Sequence, residues 1–176
     1  LRSIGENPTS MRKLTERLVR PEIRGLRAYH VPDATGLIKL DAMENPYSWP
    51  EDLRREWLES LTDVHLNRYP DPQGSALKAV LRESMGIPRE MGLLLGNGSD
   101  ELIQMLALTV TRPGRRILSV DPGFAMYRMI ALFAGMEYVG VPLRAEDYSL
   151  DLPAVLEAMD REQPAVTFLA YPNNPT

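Results

Sequence analysis

Residues 93–102 place two glycines between a short apolar run, Leu93-Leu94-Leu95, and a polar stretch that opens an amphipathic pattern, Gly96-Asn97-Gly98-Ser99-Asp100-Glu101-Leu102. The chemistry open to such a stretch is anion binding. Gly96 and Gly98 let the backbone turn sharply, since a residue without Cβ reaches positive φ at little cost, and the first amides of a helix beginning near Ser99 lack carbonyl partners. Those N–H groups, at the positive end of the helix dipole, suit a phosphate. A strand, a glycine turn and a helix cap also occur as a plain connection in any α/β protein, and from this stretch alone both readings stand. A dinucleotide fingerprint needs a third glycine where the chain has Glu101, and a nucleotide-hydrolase loop needs a Gly-Lys-Ser or Gly-Lys-Thr that is absent here. The indicated ligand is an anion other than a nucleotide.

The elements that must position this turn follow from hydrophobic periodicity. Residues 93–95 read as a buried strand, and Leu102, Met105, Leu106 and 108–110 continue a helix that Pro113-Gly114 stops. A strand over 115–120, a loop Asp121-Pro122-Gly123-Phe124, a helix over 125–134 ended by Gly135 and a strand over 138–141 come next. A helix with Pro153 in its first turn should turn Val155, Leu156 and Met159 inward, and a last strand covers 165–170. The alternation is that of a parallel sheet with crossover helices. Ligands of such sheets collect outside the carboxyl ends of the strands, where 96–101, 121–124 and 171–176 all fall.

Upstream, Arg12, Lys13, Arg17, Arg20, Arg24 and Arg27 are interleaved with Glu16 and Glu22 and have no aromatic companions, so 11–27 reads as a solvated arm or short helix rather than a polyanion site. Ile38-Lys39-Leu40-Asp41 reads as a short strand, and a helix after Pro50 should pack Leu53, Trp57, Leu58 and Leu61 on the body of the protein. The loop 66–74, with two prolines and a glycine, suits a site or an interface. Ser75 is a candidate cap for a helix whose buried stripe is Leu77, Val80, Leu81 and Met85 and which Gly86 ends.

Composition narrows the function. The 176 residues are 44% apolar, enough for a domain with a real core. A net charge of −4 with mixed signs gives no general attraction for nucleic acid or a membrane surface. With no cysteine, disulfides, thiolate metal sites and cysteine nucleophiles are excluded, and His30 and His65 are too few and too scattered for a metal centre. No apolar run is long enough to span a bilayer and no secretory signal is visible, so the expected location is the cytoplasm.

A set of short motifs then adds what periodicity cannot. Arg20-Pro21-Glu22-Ile23-Arg24, Leu40-Asp41-Ala42-Met43-Glu44-Asn45-Pro46, Asn67-Arg68-Tyr69-Pro70, Gly96-Asn97-Gly98-Ser99-Asp100-Glu101 and Tyr171-Pro172-Asn173-Asn174-Pro175-Thr176 occur in this order. Together they resemble the fold-type I pyridoxal-phosphate aminotransferases, and among them the histidinol-phosphate aminotransferases, over nearly all of the chain after Met11. Met43 departs from the pattern, standing where many relatives carry asparagine. The resemblance implies an α/β fold, a three-layer sandwich whose mainly parallel sheet carries helices on both faces, incomplete at its C-terminal side and preceded by an N-terminal arm. Residues 1–10, polar with Gly5 and Pro8 and followed directly by Met11, read as a disordered extension, and the resemblance implies the arm and part of a small domain over 11–65 and the first part of the cofactor-binding large domain over 66–176.

By the same resemblance the cofactor is pyridoxal 5'-phosphate. The amides of Ser99 and Asp100, with Glu101 beside them, would hold its phosphate. Phe124 would stack on the pyridine ring, where core packing is the other use of such a residue. Asn174 would hydrogen-bond the phenolic oxygen. Tyr69 would reach the cofactor phosphate of a neighbouring subunit, making the protein a homodimer. Tyr29 is a candidate for the substrate's phosphate end, or else an interface or packing tyrosine. The implied reaction moves an amino group between histidinol phosphate or imidazole acetol phosphate and glutamate or 2-oxoglutarate, in histidine biosynthesis.

Transamination also needs a lysine to form a Schiff base and move the proton. The lysines are Lys13, Lys39 and Lys78, none in the family's Ser-Lys context. That lysine, the aspartate facing the ring nitrogen and the arginine for the substrate carboxylate are expected beyond Thr176, so no catalytic residue is assigned here and the chain alone is expected to be inactive. Two other functions remain open at this point: another enzyme of the same fold, such as an aromatic aminotransferase or a threonine-phosphate decarboxylase, and a non-catalytic module that binds a phosphorylated ligand.

Overall fold

The structure, a computed structural model, describes residues 8–27, 33, 35–38 and 44–176. The chain divides into two compact units, one formed by Leu1–Arg27 with Leu95–Thr176 and the other by Ala28–Leu94.

In the first unit, helices α1 (Pro8–Leu18) and α2 (Pro21–Arg24) form the N-terminal arm. Pro8 opens α1 inside the stretch expected to be an extension, and Pro21 opens α2, the position where a missing N–H costs a helix nothing. In the second unit lie α3 (Glu51–Ser60) and α4 (Ser75–Met85). The first unit then continues with α5 (Ser99–Val110), β1 (Arg116–Asp121), α6 (Ala125–Phe133), β2 (Glu137–Pro142), α7 (Leu152–Glu162) and β3 (Val166–Thr167).

The three strands form one sheet in the order β2-β1-β3, with both neighbours parallel to β1. Arg116 pairs with Glu137 and Asp121 with Pro142, while Ile117 and Leu118 pair with Val166 and Thr167. Every residue from Ile117 to Val120 is buried, as expected of a central strand covered on both faces. Successive residues point to opposite faces. Ile117 joins Ala107 of α5, Ile130 and Ala131 of α6 and Met136 in one apolar cluster. Leu118 and Val120 join Val141, Val155 and Ala158 in the other, under α7. Helices α5 and α6 thus cover one face and α7 the other, which gives the three layers that the family resemblance implies.

Several local expectations are corrected. Residues 93–95 are not a strand. Leu93 and Leu95 are half-buried and Leu94 exposed, the alternation of an extended segment, but no neighbour pairs with it among the described residues, and without a ladder there is no strand. The last strand is two residues long rather than six, although Ala165 and Phe168 still donate to Arg116 and Leu118 carbonyls at 2.8 and 2.9 Å. On α7 the inward residues are Val155 and Ala158, while Leu156 and Met159 are exposed.

The larger correction concerns α3 and α4. Leu53, Trp57, Leu58 and Leu61 were expected to pack inward, yet all are between 43% and 52% exposed. Leu77, Val80 and Met85 are exposed as well. No described residue of 28–94 is buried, so the apolar stripes are present without a core beneath them in their own unit. Trp49 meets Trp57 edge to face at 5.8 Å. Ser75 does not cap α4: Asp71 does, its carboxylate accepting from the Gln73 and Ser75 amides at 2.9 and 2.7 Å. These bonds, the Ser75 amide first, hold the Asp71 carboxyl below the usual carboxylate range. Gly86 ends α4 at φ 62°, as expected. The strand expected at 38–41 lies, apart from Ile38, outside the described residues.

Candidate functional site

Helix α5 packs against one face of the sheet and its C-terminal end leads into the start of β1, so its N-terminus lies toward the carboxyl ends of the strands. Gly98, the residue before the helix, stands at φ 84° and ψ 171°, a conformation essentially reserved for glycine. A Cβ at Gly98 would meet nothing within 4 Å, so the space before the first helical amides is open. A Cβ at Gly96 would lie 2.8 Å from Leu102 Cγ and Cδ2. The two glycines therefore act differently, Gly98 by conformation and Gly96 by room. No side chain caps the helix, and Ser99, Asp100 and Glu101 are exposed. The Glu101 carboxylate instead reaches back to accept from the Asn97 amide at 2.5 Å, holding the turn together. Uncapped amides, an open approach and a fixed turn fit a phosphate monoester.

The loop after β1 is built as firmly. Asp121 ends the strand, and its carboxylate accepts from Arg128 of α6 at 2.8 Å and from the Tyr138 hydroxyl of β2 at 3.1 Å. The Arg128 guanidinium also lies 4.3 Å from the centre of the Tyr138 ring. Burial, followed by the Asp121 charge and hydrogen bond, pushes the Tyr138 phenol up to about 12. The Asp121 carboxylate occupies the space a Cβ at Gly140 would need, so glycine inside β2 marks its seat. A Cβ at Gly123 would meet the Val120 carbonyl, which keeps the turn folded back on its strand.

Phe124 immediately precedes α6 and is half-buried. Its ring meets Tyr127 edge to face at 5.4 Å, and Tyr127 in turn stacks on Phe168 at 4.9 Å with the planes 6° apart. The aromatic wall is therefore a short series of rings anchored in the core. Asn174 is half-buried in the loop that follows β3. Its neighbour Asn173 donates from Nδ2 to the Pro122 carbonyl at 3.1 Å and to Thr176 Oγ1 at 2.6 Å. Loops 121–124 and 171–176 are thus in direct contact. Beside them a cavity of about 560 Å³ is lined by Val120, Leu143, Tyr148, Leu169, Tyr171 and Asn173, among others.

The structure places Phe124 and Asn174 on two touching loops and Ser99, Asp100 and Glu101 at a helix terminus on the same edge of the sheet. Tyr69 is fully exposed and belongs to the other unit. Tyr29 lies outside the described residues. Asp121, Arg128, Tyr138 and Asn173 were not singled out from the sequence. An isolated glycine at 140 in a strand pattern was the available signal for the first three, since it marks a close approach. For Asn173 there was none, because adjacent asparagines in a proline-flanked loop do not reveal which faces inward. Among the described residues no group of three acidic, histidine or cysteine side chains could hold a metal ion, and no helix is long and apolar enough to cross a membrane.

The profile of the family described as aminotransferase class I and II matches residues 35–176. The chain belongs to that family. It is 70% identical over 163 residues to the histidinol-phosphate aminotransferase of Thiocapsa roseopersicina, covering 93% of this chain and 86% of the relative. It is 56% identical over 166 residues to the histidinol-phosphate aminotransferase of Chromobacterium violaceum, covering 94% of this chain and 46% of the relative. Among solved structures, the histidinol-phosphate aminotransferase of Sinorhizobium meliloti in complex with pyridoxal-5'-phosphate superposes with a TM-score of 0.71 at 24% identity, covering 89% of this chain and 43% of that one. The chain spans less than half the length of the second relative and of the solved aminotransferase. The fold is that of the fold-type I aminotransferases, represented by part of the parallel sheet and the helices on its two faces.

Proposed function

We propose that this chain forms the cofactor-holding side of a pyridoxal-phosphate-dependent aminotransferase that exchanges an amino group between histidinol phosphate or imidazole acetol phosphate and glutamate or 2-oxoglutarate. The observation that carries the reading is the uncapped N-terminus of α5 behind the Gly96-Asn97-Gly98 turn, at the same sheet edge as an aromatic wall and an amide side chain. The identity of 70% to a relative named for this substrate supports the choice of substrate over an aromatic amino acid.

When bound, pyridoxal phosphate supplies an aldehyde and an electron-withdrawing ring through which amino groups are exchanged. The chain's own residues bind and orient it. Ser99 and Asp100 offer backbone N–H groups to the phosphate, and the α5 dipole favours its charge. Glu101, engaged with the Asn97 amide, shapes the cradle rather than presenting its carboxylate to an anion of like charge. Phe124 covers the ring, and Asn174 donates to the phenolic oxygen. Tyr69, on an exposed loop, serves the site of a second subunit, and the exposed apolar face of α3 is the kind of surface such a homodimer covers. Tyr29 is assigned to the substrate's phosphate end.

No lysine lies between residues 95 and 176, so the 176 residues are expected to bind the cofactor without turnover. Equilibrium binding of pyridoxal 5'-phosphate to the chain tests the cradle; absence of binding at millimolar ligand would sink the reading, as would measurable transamination by the chain alone. In the complete protein, histidinol phosphate should be a better amino donor than phenylalanine, and the reverse order would favour an aromatic aminotransferase.

A further inference from the structure

We propose that Asn173 is a positioning residue, whose carboxamide ties the loop carrying Asn174 to the loop carrying Phe124 and so sets both groups relative to the cofactor ring. The inference rests on the reading above and concerns a side chain to which that reading gives no role.

One of the two loops is fixed independently of the other. Asp121 is held by Arg128 and Tyr138, its carbonyl accepts from the Leu143 amide at 2.8 Å, and Gly123 closes on the Val120 carbonyl. The other loop has little of its own to hold it. Pro172 and Pro175 have no N–H, and among the described residues no backbone–backbone hydrogen bond joins 171–176 to the rest of the unit. The Asn173 side chain supplies the attachment, with one Nδ2 reaching both Pro122 O and Thr176 Oγ1.

The orientation of the amide follows from its partners. A carbonyl can only accept, so the nitrogen must face Pro122. Among the described residues Oδ1 is buried without a partner, so the carboxamide faces inward. An asparagine that served only as loop polarity would point this oxygen to water. Because orientation at a reacting group is sensitive to displacements on the order of 1 Å, a tie at the residue adjacent to Asn174 acts on binding geometry without touching the ligand.

The isosteric N173D removes the donor while keeping the shape, and N173A is the second variant should the carboxylate prevent folding. T176V keeps the Pro122 arm and loses only the other. Two readouts on the 176-residue chain separate the tie from the function it rests on. Backbone order parameters of Asn173, Asn174 and Thr176 from 15N relaxation should fall from the rigid range, about 0.85, to below about 0.6 in N173D or N173A and stay nearer the rigid value in T176V, while those of Gly123 and Phe124, on the independently fixed loop, hold. Affinity for pyridoxine 5'-phosphate, which has the ring and the phosphate but needs no lysine, should fall about tenfold in the Asn173 variants, while inorganic phosphate changes less than twofold. Unchanged order parameters at Asn173, Asn174 and Thr176 overturn the tie, and equal losses for both ligands overturn its specific action on the ring. If the wild-type chain binds phosphate but not pyridoxine phosphate, the cofactor reading fails, and Asn173 has no ring to position whatever the order parameters show.

Discussion

Gly98 holds a backbone conformation of φ 84° and ψ 171° immediately before α5, and alanine there should damage phosphate binding more than it damages the fold. The region is open to glycine and costs other residues on the order of 1–3 kcal/mol. A Cβ at this position meets nothing within 4 Å, so the whole penalty is conformational and none is steric. The chain can escape it by letting residue 98 relax to negative φ, which turns the Ser99 and Asp100 amides away from their common direction. The turn is exposed and its main tie is the Glu101 carboxylate on the Asn97 amide, so this local escape is easier than global unfolding. Since about 1.4 kcal/mol is tenfold in affinity, G98A should weaken phosphate or pyridoxal-phosphate binding by roughly 5- to 150-fold. The urea midpoint of the chain should move less than the affinity. The matched control is G86A, which places the same methyl group at φ 62° and ψ 33° at the end of α4. It should lower helix content and leave phosphate binding alone. Isothermal titration and urea unfolding of both variants are sufficient, and a G98A chain that binds phosphate like wild type would refute the argument that this turn builds the anion site.

Other perturbations probe the supports. In G140A the new methyl group claims the seat of the Asp121 carboxylate, breaking its contacts with Tyr138 and Arg128; a loss of about 1–3 kcal/mol in urea unfolding is expected, and D121N should reproduce part of it. Tyr138 should ionise near pH 12 in an absorbance titration at high pH. Its folded pKa is raised above the value of about 10 for a free phenol, so its contribution to stability is complete below pH 10 and is lost as pH rises towards 12; Y138F should remove that part of the alkaline decline. R20A removes the guanidinium that donates to the Leu132 and Phe133 carbonyls, both at 3.0 Å, at the end of α6, and should lower stability by about 1 kcal/mol while freeing the arm for faster exchange. D71N should reduce α4 helicity, and in wild type the same loss should appear as pH falls through the depressed Asp71 pKa, with circular dichroism as the readout.

The parts legible in the sequence were those with a local cause. Gly98 and Gly86 announced themselves because positive φ is a property of one residue, and the extents of α6 and α7 were readable from their terminal signals, although the buried face of α7 was not. Where the deciding partner is distant, the same reasoning misled. Leu53, Trp57, Leu58 and Leu61 carry a helical stripe that in a single unit reads as core, but a stripe states only that a face is apolar and not what covers it. Residues 93–95 carry the composition of a strand, yet strand formation belongs to a pair and needs a ladder. Ser75 has the residue type of a cap, whereas Asp71, set in the proline-rich turn four residues earlier, reaches the amide because the turn folds its carboxylate over the helix start.

The site shows the same division within a few residues. The Gly96-Asn97-Gly98 turn could be read in isolation as a glycine turn opening a helix, with anion binding as one of two uses, because a helix terminus carries its chemistry in its own backbone. Phe124 and Asn174 could be named only through resemblance, since nothing in a lone phenylalanine or asparagine says that it meets a ring. Asn173 escaped both routes, because its partner, the Pro122 carbonyl, lies 51 positions away and its side chain differs in no local way from that of Asn174. What distinguishes the two asparagines is the sheet itself. The loop after β3 reaches the loop after β1 because those strands are neighbours in the order β2-β1-β3, so the residue that ties the loops is selected by topology, and the role proposed for Asn174 falls to the one left over. In a parallel sheet whose loops must act together, an inward-facing amide next to a functional one is therefore where a positioning role should be sought.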